Sequence, residues 1–193
     1  MESESRILTF AGSTRKESVN RKLLNLAVED ARQAGGVVTV LELADYPLPL
    51  MDEDLEAAKG VPENARKLKK LFFEHDGLLL ACPEYNSSIT PLLKNVIDWV
   101  SRREGNEAPL GCYKGKTAAL ISASPSMLGG LRGLVTVRSI LGNIGVIVLP
   151  DQVTCAKAHE AFNPDGSLKD AGTKSRLEIL AATLVSTTRK MKV

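Results

Sequence analysis

The sequence has little of what marks several classes of protein. Aromatic residues make up only 4% of the 193 residues, which leaves little material for a base-stacking surface that binds single-stranded nucleic acid. The 25 basic and 23 acidic residues nearly cancel to a net charge of +2, so no strongly basic surface is indicated. No apolar run approaches the roughly 20 residues that cross a bilayer. We therefore expect neither a nucleic-acid partner nor a membrane partner.

Cysteine and histidine are also scarce. The three cysteines, Cys82, Cys112 and Cys155, are an odd number without CxxC spacing, so neither a disulfide framework nor a zinc site is indicated. The two histidines, His75 and His159, are too isolated to predict a metal cluster. The N-terminal residues lack the basic and apolar regions of a signal peptide. With 44% hydrophobic and 25% charged residues, this predicts a soluble, cytoplasmic protein with a single domain over residues 1–193 and no bound metal.

The sequence does contain a regular alternation of short apolar runs and amphipathic stretches. Apolar runs predict strands over residues 6–11, 37–43, 77–82, 116–124 and 145–149. Apolar residues at helical spacing predict helices over residues 18–34, 62–74, 90–103, 130–141 and 173–190, with a long loop over 150–172. Strands that are nearly continuously apolar favour a parallel sheet covered on both faces. We predict a flavodoxin-like three-layer α/β/α fold with strand order 2-1-3-4-5.

In this strand order, a ligand crevice is expected between the carboxyl ends of strands 1 and 3. Strand 1 is followed by GSTRKESVN, residues 12–20, in which a glycine, short polar side chains and an arginine precede a helix. The free N–H groups of a helix start and the forked cation of Arg15 favour a phosphate ligand. Neither a P-loop nor a GxGxxG pattern is present, so a phosphomonoester fits better than a triphosphate. A helix cap alone would need only one of the polar residues.

The loops after strands 3 and 4 are expected to complete the crevice. Strand 3 is followed by PEYNSSITP, residues 83–91, where Tyr85 and backbone amides can cover a heteroaromatic ring. The same residue types also make plain turns. Strand 4 is followed by SPSMLGG, residues 124–130, which adds a third wall of small residues.

The first two loops together resemble the NAD(P)H-dependent FMN reductase family of flavodoxin-like proteins, which includes chromate, quinone and azo-dye reductases. GSTRKESVN resembles its G-S-x-R-x-x-S-x-N phosphate loop, and PEYNSSITPLLKNVIDWVSR resembles its P-E-Y-N loop and the following helix. The resemblance covers residues 6–149. It implies that the FMN phosphate is bound by Ser13, Arg15, Ser18 and Asn20. It also implies that the isoalloxazine ring is bordered by Pro83, Glu84, Tyr85, Asn86, Ser124 and Gly129.

The activity implied by the resemblance is that of an FMN-dependent NAD(P)H oxidoreductase. NADPH or NADH would transfer hydride to N5 of the flavin, and a small acceptor would then take the electrons in ping-pong order. The implied acceptors are quinones, azo compounds, chromate, ferric chelates and free flavin. No side-chain acid, base or nucleophile is needed for this chemistry, so no catalytic residue is expected.

The family also implies a homodimer or homotetramer, in which a neighbouring subunit helps to wall the flavin. Such a subunit would bury one of two apolar segments. These are the helix that bears Ile97, Trp99 and Val100 and the loop that bears Leu48, Leu50 and Met51.

Two other interpretations of the residues stay open. A flavodoxin-type FMN electron carrier would share the fold without having NAD(P)H reductase activity. Such carriers are commonly strongly acidic, whereas this chain carries a net charge of +2. A phosphosugar- or nucleotide-binding regulatory domain would keep the phosphate loop without a redox cofactor, and the tyrosine-bearing loop weighs against it.

Overall fold

The computed structural model describes residues 4–192, and its central feature is a five-stranded parallel sheet. The strands of the sheet are β1 (Arg6–Ala11), β2 (Val37–Val40), β3 (Gly77–Ala81), β6 (Thr117–Ala123) and β7 (Ile147–Cys155). Their order is β2-β1-β3-β6-β7, and each neighbouring pair is parallel. Two further strands, β4 (Glu84–Tyr85) and β5 (Ser88–Ile89), form a separate antiparallel hairpin. Counted without this hairpin, the order is the predicted 2-1-3-4-5, so the flavodoxin-like fold is confirmed.

Helices cover both faces of the sheet. They are α1 (Val19–Gln33), α2 (Glu53–Lys59), α3 (Glu63–Glu74), α4 (Pro91–Ser101), α5 (Leu131–Asn143) and α6 (Ala171–Met191). Because side chains alternate along a strand, Ile7 of β1 joins the core under α1 and α6, while Leu8 joins the core under α3, α4 and α5. None of the described helices is both long and apolar enough to cross a membrane.

The edge strand β7 continues beyond its predicted end at residue 149, so the predicted loop is wrong over residues 150–155. The strand bulges: its register against β6 shifts between Ala118 and Leu120. Pro150 has no N–H to donate, and a bulge in an edge strand tolerates that. Arg138 of α5 holds the bulge by donating to the carbonyl oxygen of Pro150 and to the side chain of Gln152, each at 3.2 Å. The bulge lets a proline lie inside a strand, which the sequence pattern did not indicate.

The segment after β2 also differs from the prediction. The strand ends at Val40 rather than residue 43, because Leu43 turns inward and is buried in a short 3₁₀ helix, Leu43–Asp45. The helix α2 was not predicted. It carries no buried residue and begins at the Asp52 cap, so it lacks the apolar periodicity from which helices were inferred.

The apolar face of α4 is buried within the chain. Ile97, Trp99 and Val100 are at most 4% exposed, and Trp99 Nε1 donates to the carbonyl oxygen of Pro49 at 2.8 Å. The expectation that a neighbouring subunit covers this face is therefore wrong, because α3 and the loop after β2 already cover it. In that loop Leu50 is 77% exposed.

Candidate functional site

The loops that follow β1, β3 and β6 meet at one edge of the sheet and enclose a cleft of about 240 Å³. They meet because the carboxyl ends of neighbouring parallel strands lie at the same edge. Most of the predicted site residues line this cleft, namely Ser13, Arg15, Ser18, Asn20, Pro83, Glu84, Tyr85 and Ser124. The cleft is also lined by Val19, Ala123 and Pro125, which sequence reasoning did not single out. Within the described residues, Asn86 and Gly129 lie outside the lining.

The loop after β1 presents unused hydrogen-bond donors. The Arg15 side chain is exposed and makes neither an ion pair nor a hydrogen bond to any residue in 4–192. The first turn of α1 adds N–H groups that have no acceptor inside the helix. Gly12 lets the loop pack closely, since a Cβ there would lie 3.0 Å from Leu93 Cβ. Thr90 Oγ1 donates to the Gly12 carbonyl oxygen at 3.0 Å and ties the loop to the start of α4.

Three predicted phosphate ligands in this loop already have protein partners, the first being Ser13, whose hydroxyl accepts from the N–H of Arg15 at 3.3 Å. Ser18 is the N-cap of α1, and its hydroxyl accepts from the N–H of Arg21 at 3.4 Å. The Asn20 amide is buried and bonds both backbone groups of Ala123: it donates to the carbonyl oxygen at 2.7 Å and accepts from the N–H at 2.9 Å. Asn20 thus fixes α1 to the end of β6. All three residues line the cleft, and their contact with a cofactor stays a prediction.

The loop after β3 is a tight hairpin that displays one aromatic ring. Its two turn residues, Asn86 and Ser87, have φ values of 49° and 67°, as a type I′ turn requires. Asparagine tolerates positive φ better than most residues, whereas serine does so less readily. The turn leaves Tyr85 59% exposed at the mouth of the cleft. A flat ring held on a rigid turn can cover one face of a bound ligand.

The Glu84 carboxylate points away from solvent toward the start of α5. Its side chain is only 6% exposed, and it accepts from the N–H of Gly133 at 3.0 Å and from Arg132 Nη2 at 2.9 Å. Burial by itself would raise the pKa of the Glu84 carboxyl, but these hydrogen bonds outweigh burial and hold the pKa below its usual value. The carboxylate therefore anchors the hairpin to α5. Arg132 lies 48 residues away in sequence, so no local pattern pointed to this pair.

The third wall is held by a segment that sequence reasoning passed over. The backbone N–H of Ala158 donates to the Ser124 carbonyl oxygen at 3.0 Å, and that of Lys157 donates to Ser126 at 3.2 Å. Gly129 has a φ of 59°, and a Cβ there would lie 2.8 Å from the Ala156 backbone nitrogen. Glycine at 129 is thus required by packing against the end of β7. Its predicted contact with the cofactor ring remains untested.

The three cysteines lie in the interior and supply no reactive thiolate. Each is buried, and burial raises the pKa of the Cys82 and Cys155 thiols. Burial likewise raises the pKa of Cys112, to about 11. All three thiols are therefore protonated at neutral pH.

Comparison with known proteins places this chain in a family. The family model described as NADPH-dependent FMN reductase matches residues 5–160. The chain is 34% identical over 190 residues to an NAD(P)H:quinone oxidoreductase of Solanum tuberosum, covering 97% of this chain and 94% of the relative. It is 34% identical over 175 residues to an NAD(P)H-dependent FMN reductase of Pseudomonas aeruginosa, covering 88% of each. Among solved structures, FerB, a flavoenzyme NAD(P)H:(acceptor) oxidoreductase from Paracoccus denitrificans, aligns with a TM-score of 0.78 at 30% identity, covering 96% of this chain and 98% of FerB.

Proposed function

The chain belongs to the NADPH-dependent FMN reductase family, and from that premise we propose that it reduces a small acceptor of the quinone class with electrons from NAD(P)H. It is an oxidoreductase of the FMN reductase and quinone reductase type, with FMN as cofactor and NAD(P)H as reductant. The observation that carries the proposal is the combination, in one cleft, of two side chains: Arg15, just before α1, which has no partner within residues 4–192, and Tyr85, which is exposed on a tight turn.

The residues present fit FMN. A phosphate monoester is a dianion with several acceptor oxygens, and the Arg15 guanidinium and the loop N–H groups are the donors that such a group needs. No carboxylate among the described residues neutralises Arg15, so its charge is available to a ligand. The cleft is also lined by Tyr85 and by the small residues Ala123, Ser124 and Pro125, which suit a flat aromatic ring.

Each wall of the cleft has a separate task in the proposed reaction. Bound FMN would supply the two-electron chemistry by which NAD(P)H, a proton and a quinone give NAD(P)⁺ and a hydroquinone. Arg15 holds the phosphate, Asn20 fixes the phosphate loop relative to the third wall, and Glu84 fixes Tyr85 relative to α5. No side chain is required to transfer a proton as a general acid or base.

We propose that both substrates enter the cleft from the same side. A second depression of about 450 Å³ adjoins the cleft and is lined by Ser13, Arg15, Tyr85, Pro91 and Leu92, among others. Since this depression shares Ser13, Arg15 and Tyr85 with the cleft, we propose that NAD(P)H and the acceptor occupy it in turn, in ping-pong order. Parallel double-reciprocal plots of initial rate would agree with that order, and intersecting plots would contradict it.

The proposal is tested by absorption spectroscopy of the purified protein after loading with FMN and gel filtration. We expect an oxidised-flavin spectrum that bleaches anaerobically with NADPH or NADH and returns on addition of a quinone. A flavin spectrum that neither nucleotide bleaches would instead identify an electron carrier. A protein that retains no flavin would refute the cofactor assignment.

A further inference from the structure

A groove with a mainly apolar lining lies beside the cleft, on the side of the loop that follows β2. It has a volume of about 370 Å³, and its lining comprises the polar residues Thr14 and Asn95 and the apolar residues Leu43, Ala44, Tyr46, Pro47, Leu48 and Leu92. Thr14 and Leu92 also line the second depression, which in turn shares Ser13, Arg15 and Tyr85 with the cofactor cleft. The three hollows therefore adjoin one another, and the groove extends the opening through which substrates reach the cleft.

The far wall of the groove is rigid. The Pro47 carbonyl oxygen accepts from Asn64 Nδ2 at 3.0 Å, and the Pro49 carbonyl oxygen accepts from Asn95 Nδ2 and Trp99 Nε1, both at 2.8 Å. The N–H of Met51 donates to Asn95 Oδ1 at 2.7 Å. Two prolines and four hydrogen bonds to the side chains of Asn64, Asn95 and Trp99 thus hold this loop in one shape. A preformed wall binds an apolar group at low entropic cost.

The residues that line the groove suit the acceptor better than they suit NAD(P)H. No Lys, Arg, Asp or Glu side chain lines the groove among the described residues. NAD(P)H carries phosphates, which cations bind strongly, and the cation that lines the adjoining depression among the described residues is Arg15, assigned above to the cofactor phosphate. Tyr46, Leu48 and Leu92 are half-buried on the core, and each still exposes apolar surface. An uncharged, apolar group suits this surface.

We infer that the groove binds the apolar side chain of an alkyl-substituted quinone whose ring lies at the opening of the cleft. The inference rests on the proposed function and deepens it, because it names the acceptor class as lipophilic quinones. Burial of even two methylene groups strengthens binding about tenfold. Quinones with a long alkyl chain are therefore better acceptors than the same quinones without it.

The first test compares kcat/KM for a benzoquinone that bears a decyl chain with kcat/KM for its counterpart without the chain. We expect a ratio of at least about ten in the wild type, falling about tenfold in Leu48→Asn. The matched control is Leu50→Asn, since Leu50 lies on the same loop, is 77% exposed and is not part of the lining. It should keep the wild-type ratio. A wild-type ratio near one, or an unchanged ratio in Leu48→Asn, would overturn the inference.

A second measurement separates this inference from the proposed function. In this measurement the redox-inert dimethyl ether of the decyl hydroquinone is titrated calorimetrically into the FMN-loaded protein. The variants are Leu48→Asn and, if that protein unfolds, Tyr46→Ser. Either variant should weaken binding about tenfold. If the dimethyl ether binds to the wild type and either variant weakens that binding, but no quinone is reduced, the proposed function is refuted and the groove assignment is retained. If Leu48→Asn instead converts a larger species into a smaller one in sedimentation velocity and leaves the kinetic ratio unchanged, a second copy of the chain covers the groove and the inference fails.

Discussion

The two loops that face each other across the cleft use their polar groups in opposite ways. The loop after β1 leaves the Arg15 guanidinium without a protein partner among the described residues. In the hairpin after β3 the charged group is paired within the protein: the Glu84 carboxylate accepts from the N–H of Gly133 and forms an ion pair with Arg132. A group that is left unpaired is available to a ligand, whereas a group that is paired and buried fixes a shape. We propose that the first loop supplies affinity for the cofactor and that the hairpin supplies the position of Tyr85.

The largest expected effect on the free energy of unfolding comes from Asn20, which was predicted to bind the cofactor phosphate but is hydrogen-bonded to the backbone of Ala123. Asn20→Leu leaves the buried N–H and carbonyl oxygen of Ala123 without their partner, which costs roughly 2–4 kcal/mol of unfolding free energy. Urea denaturation measures this loss. Gln33→Leu, at an exposed position on the same helix, is the control and should change the stability by less than about 0.5 kcal/mol. A stable Asn20→Leu protein that has lost only FMN affinity would show that Asn20 is a ligand after all.

Arg15→Ala should lower the affinity for FMN and leave the stability of the protein unchanged. Loss of a charge-assisted phosphate contact costs roughly 1.5–3 kcal/mol of binding free energy, or about ten- to a hundredfold in the FMN dissociation constant, with stability unchanged. Titration of apoprotein with FMN, followed by flavin fluorescence, gives the constant. Lys16→Ala removes a neighbouring exposed charge that does not line the cleft and should have little effect. Unchanged FMN affinity in Arg15→Ala would remove Arg15 from the site.

Glu84→Gln tests the hairpin anchor. It should lower the free energy of unfolding at pH 7 by about 1–2 kcal/mol, because a charge-assisted pair becomes a neutral one. The pKa of Glu84 is lower in the folded protein than its usual value of 4.5. The extra stability is therefore present above pH 4.5 and is lost as the pH falls from there through the folded pKa.

Denaturation of wild type and Glu84→Gln at pH 7 and at successively lower pH measures this difference, which should shrink on acidification. Glu29→Gln is the control, since Glu29 forms an exposed ion pair with Arg32 and should give about 0.5 kcal/mol or less. A Glu84→Gln difference that does not depend on pH would contradict the anchor.

The smallest effect is expected from the cysteines. Replacing Cys82, Cys112 and Cys155 together by alanine should leave quinone reduction intact, because all three thiols are buried and protonated. Steady-state rates per bound FMN check this. Loss of activity in a protein that still folds and holds FMN would reveal a thiol in the reaction.

The same contrast explains what the sequence predicts well. Strand order and the position of the cleft follow from apolar periodicity and from which loops carry polar residues, and both are local patterns. The uses of Asn20 and Glu84 depend on Ala123 and Arg132, which lie 103 and 48 positions away. A list of polar residues in a loop cannot separate those that face a ligand from those that hold the loop. The bulge at Pro150 was not predicted because tertiary contacts determine it. The helix α2 was not predicted because it has no buried residue and depends on its Asp52 cap.

The most direct test of the central claim compares FMN with riboflavin, which has the same ring and no phosphate. If the loop after β1 supplies the affinity, wild-type protein binds FMN at least about tenfold more tightly than riboflavin. In Arg15→Ala the difference between the two affinities becomes smaller, because the dissociation constant for FMN rises while that for riboflavin is unchanged. Equal affinity of the wild type for the two flavins, or an Arg15→Ala variant that weakens both to the same extent, would contradict the account.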